Sequence, residues 1–305
     1  MPLPAWDRPI HGTIQPPDCA KSGVSGLAQV TSAEAYISAI IPIDTAGGRY
    51  SAQMTFNSCI TGYPMTELLF QDDSYLKEFQ ANITEIVEGG AVLDRSAFYI
   101  GGGGQPCDTG LLIHDGHEHI VTKVGRKEGK VVHQIQAPGA IPLAAGQTVT
   151  GRIDWDKRLL LMRTHTALHI LCGVVWRDYG AKVTGGDMRP GEARMDFELE
   201  QMSAKFAEEI EEKINAEVAI ARNVIVGNLS REEADRTPDL IRTKINLLPA
   251  NIEEVRTIDI QGLDLQADGG THVANTQEVG TIRVVGHESK GRINKRLRIG
   301  LADTE

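Results

Sequence analysis

The run Leu159–Val175, LLLMRTHTALHILCGVV, sets His165 and His169 four residues apart inside an apolar segment. Leu161, Leu168, Leu171 and Val175 recur at helical spacing, so the segment is read as a helix. On a helix, positions i and i+4 lie one above the other on one face. Both imidazoles then reach the same point in space, as a metal ion requires. Zn²⁺ takes imidazole nitrogen at about 2.0–2.1 Å, usually in a tetrahedral set. By itself such a pair reads first as two separately satisfied histidines, so the metal reading needs further ligands from elsewhere in the chain.

The bulk composition narrows the classes. At 305 residues the chain has room for one to two domains. A hydrophobic fraction of 41% with only 5% aromatics predicts a real but mostly aliphatic core. The net charge of −10 excludes a uniformly basic nucleic-acid binder and leaves room for a local basic patch. Cys19, Cys59, Cys107 and Cys172 contain no CxxC pair, which argues against a disulfide scaffold or a cysteine zinc knuckle and for a reduced, cytoplasmic setting. No apolar run is read as approaching the roughly 20 residues of a membrane span. The N-terminus lacks the charged and apolar regions of a secretory signal.

Three segments are expected. Residues 1–64, broken by Pro2, Pro4, Pro9, Pro16 and Pro17, are read as a mostly disordered or non-native extension, with Met65 as the functional start. Residues 65–156 alternate apolar and polar residues between turns. Ala81–Val87, Leu111–Ile113, Ile120–Val124, Val131–Val132 and Val149–Ile153 suggest a small antiparallel β-barrel. Residues 157–305 mix helix and strand. The His165/His169 helix is followed by a strand at Ala193–Leu199 and an amphipathic helix carrying Met202, Phe206, Ile210, Ile214 and Val218. Ser230–Glu233 is a capping box, Val255–Ile260 a strand, and the last residues a hairpin. The fold class is therefore α+β: a small barrel, then a mixed α/β domain.

Within the barrel region, Gly101-Gly102-Gly103-Gly104-Gln105-Pro106-Cys107-Asp108 frees the backbone for close approach. It matches neither a dinucleotide fingerprint nor a P-loop. It is either a long tight turn or a loop lining a site built elsewhere. His114, His117 and His119 are read as a solvated hairpin tip.

The missing ligands are sought in Asp268-Gly269-Gly270-Thr271-His272. A Gly-Gly turn lets carboxylate and imidazole fold back toward one centre, giving with His165 and His169 three nitrogens and one oxygen. Position 166 is Thr, so there is no HExxH glutamate and a zincin-type protease is not expected.

Four motifs, RTHTALHIL (Arg163–Leu171), DGGTHVANTQEVG (Asp268–Gly280), FYIGGGGQPCDTG (Phe98–Gly110) and RMDF (Arg194–Phe197), resemble in order and spacing the alanyl-tRNA editing proteins. These are free-standing relatives of the alanyl-tRNA synthetase editing domain, and the Gly-rich barrel marks their longer form. The resemblance covers roughly Met65–Leu301. It implies that the mixed domain is of the threonyl/alanyl-tRNA synthetase second-additional-domain type. It also implies a zinc-dependent deacylase for mischarged Ser-tRNA(Ala) and Gly-tRNA(Ala), holding one Zn²⁺ through His165, His169, Asp268 and His272. Asp268 stands where the family more often has Cys; carboxylate is a harder ligand than thiolate, which leaves open a zinc held by three histidines and a water. Thr184 aligns with the position sensing the seryl hydroxyl, and Gly102, Gly103, Gly104, Gln105 and Asp108 are expected near the site.

The expected partner is the acceptor end of tRNA(Ala), with no membrane and no stable protein partner. A basic stretch of Lys290, Arg292, Lys295, Arg296 and Arg298 is the candidate tRNA surface. Two other classes stay open: a tRNA-binding module with a structural metal and no deacylase activity, and a metal-dependent esterase for small substrates.

Overall fold

Period-two alternation builds the first half of the chain. In the computed structural model the described residues are 65–136, 142–244, 248 and 252–302, so the expectation for residues 1–64 lies outside them. The strands are β1 (Glu67–Leu68), β2 (Glu78–Val87), β3 (Gly90–Leu93), β4 (Arg95–Ser96), β5 (Gly110–His114), β6 (His117–Lys127), β7 (Lys130–Gln136) and β8 (Thr148–Ile153). Six of them close into an antiparallel barrel in the order β2-β3-β7-β6-β5-β8. Alternate residues point inward, and Phe79, Ile83, Leu93, Leu112, Val121, Val131 and Ile153 fill the interior.

The second half is built around α1 (Trp155–Tyr179). Asp154 caps its start by accepting from the Lys157 amide, and Gly180, at φ 62°, ends it in the left-handed conformation. The elements after it are β9 (Val183–Arg189), β10 (Glu192–Phe197), α2 (Ala204–Ala219), β11 (Val224–Ser230), α3 (Arg231–Arg236), β12 (Glu254–Ile260), β13 (Asp264–Ala267), β14 (Ile282–Ser289) and β15 (Lys295–Leu301). They form a four-stranded sheet β14-β15-β10-β9 and a three-stranded sheet β11-β12-β13. The expected α+β class, barrel then mixed α/β domain, is the fold observed.

Residues Leu161 to Val175 of α1, apart from Arg163, are buried. Leu161, Ile170, Leu171 and Val174 share one core with Ile210 and Ile214 of α2, Phe197, Leu297 and Ile299 of the larger sheet, and Ile258 and Ile260 of the smaller. A helix apolar on every side is a core helix. This corrects the reading that no apolar run approaches membrane length. The 25-residue α1 is long and apolar enough to cross a membrane by length and composition, but 78% of its apolar window is buried inside the fold.

Polar contacts join barrel and mixed domain. Arg158 of α1 and Asp108 of the Gly-rich loop form an ion pair at 0% and 1% exposure. Arg158 also donates to the carbonyls of Ser74 and Ala97, and Asp108 accepts from the Tyr99 amide at 2.6 Å. Tyr75 donates to Glu278 at 2.7 Å and accepts from the Ala274 amide. The Gly-rich loop is thus pinned to the first turn of the helix that carries the histidines.

Candidate metal centre

The i, i+4 spacing on α1 sets His165 and His169 side by side, edge to face, with ring centroids 5.2 Å apart. The segment after β13 brings up the rest. Asp268 Oδ1 accepts from the Gly270 amide at 2.6 Å, which turns the chain tightly. Arg256 of β12 holds this turn from behind, its Nη1 donating to the carbonyls of Asp268 (3.0 Å) and Gly270 (2.9 Å). His272 then lies 4.2 Å from the His165 ring and 4.8 Å from the His169 ring. Among the described residues, His165, His169, Asp268 and His272 are the one group of metal-ligating side chains close enough to share an ion, their ligand atoms all within 4.8 Å of one another.

The outer nitrogen of each imidazole is occupied. His165 Nδ1 meets Gln105 Oε1 at 2.9 Å, His169 Nδ1 meets Asp264 Oδ2 at 2.9 Å, and His272 Nδ1 meets Thr166 Oγ1 at 3.2 Å. With Nδ1–H donating outward, neutral His165 and His272 present an Nε2 lone pair inward, as metal-ligating histidines do, and His169 does so once its Nε2 proton leaves. The Nε2 atoms of His165, His169 and His272 lie 3.5, 3.8 and 3.2 Å from the nearer Asp268 oxygen. A tetrahedral ion with ligands at about 2.0–2.1 Å has ligand–ligand edges of about 3.3–3.4 Å. The edges to Asp268 are near that length, and the donor set fits a divalent cation in chemistry.

Electrostatics agree. Burial pushes His165 down to about 4 against the charge of Asp268, and takes His272 well below the ordinary histidine range, so both are neutral ligands at pH 7. Burial would lower His169 as well, but Asp264 and Asp268 together overcome it and raise it to about 9. Burial would raise Asp268, yet His165, His169 and His272 hold it well below the carboxylate range, and it stays charged.

Of the other expected residues, Gln105 is brought to the cluster. Its Oε1 also accepts from the Thr271 amide at 3.1 Å, and its Nε2 donates to Thr271 Oγ1 at 2.8 Å. Both readings of the glycine run hold together: Gly102 and Gln105 exchange backbone hydrogen bonds in a tight turn, and the turn delivers Gln105. Asp108 faces Arg158, not the cluster. Thr184 is exposed on β9, and its hydroxyl donates to Asn294 Oδ1 at 2.9 Å, not to a residue of the cluster. His114 and His117 face each other across the β5–β6 hairpin, while His119 is buried at 2% exposure, which corrects its reading as part of a solvated tip.

The C-terminal basic surface is corrected. Lys295 is buried at 4% exposure, and its ammonium donates to the carbonyls of Gly291 and Arg292. Arg296 makes two parallel bonds to Asp196, at 2.6 and 2.7 Å. Lys290 and Arg298 share Glu288, at 3.0 and 3.4 Å. Only Arg292 of the five is an exposed cation without such a partner among the described residues. Composition showed an excess of cations; Asp196 and Glu288 offset part of it, and burial takes Lys295 off the surface.

Asp264, Thr166 and Arg256 are site residues that sequence reasoning missed. Asp264 sits in β13, a strand of four residues, too short for its alternation to announce it. It also accepts from Arg242 and from Gln266 Nε2.

The sequence also matches known families and proteins. The family model described as the threonyl and alanyl tRNA synthetase second additional domain matches residues 255–298, and that of class II (A) tRNA synthetases matches residues 56–157. The alanyl-tRNA editing protein AlaX-M of Methanosarcina mazei is 38% identical over 245 residues, 78% of this chain and 98% of the relative. The protein of the same description from Saccharolobus solfataricus is 39% identical over 237 residues, 76% of this chain and 98% of the relative. The alanine–tRNA ligase of Pyrococcus furiosus is 38% identical over 226 residues, 73% of this chain but 24% of that enzyme. With almost the whole length of the two editing proteins matched at such identity, the chain belongs to the family of AlaX-M-type alanyl-tRNA editing proteins.

Proposed function

We propose that the chain is a zinc-dependent trans-editing hydrolase that removes serine from mischarged Ser-tRNA(Ala), with Gly-tRNA(Ala) as a second substrate, in the cytoplasm where tRNA is charged. One observation carries the reading. Three buried imidazoles have every Nδ1 occupied and every Nε2 turned toward one charged carboxylate. In this reading His165, His169, Asp268 and His272 hold the ion. When bound, it supplies Lewis acidity toward the ester carbonyl.

The chain's own residues do the rest. Gln105, Asp264 and Thr166 keep the three rings aimed inward, and Arg256 keeps the Asp268–Gly270 turn within reach of α1. A synthetase pocket for alanine cannot strongly reject serine, which only adds a hydroxyl, or glycine, which is smaller, so a separate hydrolytic site has a clear use. Thr184 is proposed to meet the seryl hydroxyl. To do so it must exchange its bond to Asn294 for one to the substrate.

The test is deacylation of Ser-tRNA(Ala) and Ala-tRNA(Ala) by the purified protein, with and without a chelator. Chelator-sensitive loss of serine alone is the expected result. Binding without turnover would assign the metal a structural role. Cleavage of simple esters but not of charged tRNA would make the chain a small-molecule esterase.

A further inference from the structure

A cleft of about 240 Å³ opens beside the cluster. Its apolar lining comes from Leu68, Phe70 and Ile100, and bare backbone comes from Gly101–Gly103 and Gly269. Its two charged lining residues are Arg126 and Asp268. Asp268 is the carboxylate of the candidate metal centre, so the cleft and the centre share a residue.

Arg126 stands out among the cations. Every other described arginine except Arg292 is bonded to a carboxylate or a backbone carbonyl. Arg126 has neither among the described residues, and it is exposed near the end of β6 between exposed Lys123 and Lys127. A guanidinium left unpaired at the edge of a cleft is a ready site for phosphate.

We propose that this cleft seats the 3′-terminal nucleotide of an RNA, with its 5′ phosphate on Arg126 and its ribose toward Asp268. The proposal rests on the hydrolase reading above and names the subsite that would present the substrate. The chemistry of the occupant sets three demands. A terminal nucleotide carries an anion on its 5′ side, a flat base, and, in a charged tRNA, an ester on its ribose. The cleft offers a cation, a slot lined by apolar side chains and bare glycine backbone, and the carboxylate of the reacting centre. At 240 Å³ it is smaller than the roughly 300 Å³ at which drug-sized pockets begin, so it has room for one unstacked base, with phosphate and ribose at its edges, and for no paired stem. A larger groove of about 1000 Å³, between α2 and β14, is lined by Glu208, Glu211 and Glu212 and repels a polyanion.

The experiment compares an uncharged acceptor-stem minihelix ending in CCA with one lacking the terminal nucleotide. Binding is measured across a salt series for the unmodified protein, Arg126→Ala and Arg292→Ala. Arg126→Ala is expected to weaken binding of the full minihelix about tenfold, as for one charge-assisted hydrogen bond. The salt slope should fall by about 0.7, as for one single-strand phosphate. On the truncated RNA the loss should shrink to less than about twofold, and Arg292→Ala should stay below about twofold on both. Unchanged binding by Arg126→Ala, or an equal loss on both RNAs, overturns the proposal. The two readings fail separately. Arg126-dependent binding by a protein that does not deacylate Ser-tRNA(Ala) sinks the hydrolase and leaves the subsite. Deacylation with KM untouched by Arg126→Ala sinks the subsite alone.

Discussion

Replacing Gly270 with alanine puts a methyl group into space that is already filled. A Cβ at that position meets His165 Cε1 at 2.4 Å, His165 Nδ1 at 2.5 Å and Gln105 Oε1 at 2.7 Å. Non-bonded carbons settle about 3.5–4.0 Å apart, so the ring or the Asp268–His272 segment must retreat by about 1 Å. Metal ligation tolerates displacements of about 0.2 Å. The variant therefore either takes His165 out of the ligand set or draws Asp268 and His272 away from α1. Removing a group that merely orients a ligand costs about 10–100-fold in metal affinity, and displacing the ligand itself is expected to reach at least the upper end, about 100-fold. The assay is metal retained after dialysis against graded chelator, with thermal melting as the control for folding. Gly269→Ala is the matched control, because a Cβ there meets nothing within 4 Å. If Gly270→Ala kept its metal as tightly as Gly269→Ala, the packing of the turn against His165 would not govern the site, and the reasoning would be wrong.

Three further outcomes are expected. His169, raised to about 9 by Asp264 and Asp268 against the effect of burial, carries a proton at pH 7 in the metal-free protein, and a ligand nitrogen must lose it. Metal affinity should therefore climb as pH rises toward 9 and then level off, with about one proton released per ion at pH 7 in calorimetric titrations across buffers of different ionisation enthalpy. An affinity flat from pH 6.5 to 9 would contradict this. The same raised pKa stabilises the metal-free fold fully below about pH 6.5, and that contribution disappears as pH rises through 9. Arg158→Met or Asp108→Asn alone leaves one partner of a fully buried pair uncompensated, and should cost about 3–5 kcal/mol in urea unfolding. A loss below about 1 kcal/mol would mean that solvent reaches the pair. Thr184→Val should narrow the preference for Ser-tRNA(Ala) over Ala-tRNA(Ala) by about tenfold while leaving metal content unchanged. An unaltered preference assigns the hydroxyl to Asn294 alone.

What the sequence discloses depends on whether the signal is local. α1 is legible because Leu161, Leu168, Leu171 and Val175 recur at helical spacing, and the two histidines advertise theirs. The barrel strands announce themselves by alternation, and Ser230 with Glu233 forms the capping box that its spacing suggests. β13 goes unread because Asp-Leu-Gln-Ala alternates over only four residues and has no β-branched residue, and so the carboxylate that fixes His169 stays hidden. The basic hairpin misleads for the opposite reason. Its charges are local in sequence, but Arg296 is paired in register with Asp196, a hundred residues away, and that neutralisation exists only once β10 and β15 lie side by side. The link from Gln105 to His165 likewise spans sixty residues and two halves of the fold. Chain-distant partners of this kind decide which cations are available and which histidines are aimed.

The most direct measurement is the metal content of the purified protein beside His165→Ala and Asp268→Ala. One ion per chain, lost in both variants while both keep their fold, is the predicted result. A chain that holds no stoichiometric metal, or an Asp268→Ala variant that retains the full ion, would contradict a centre made of His165, His169, Asp268 and His272.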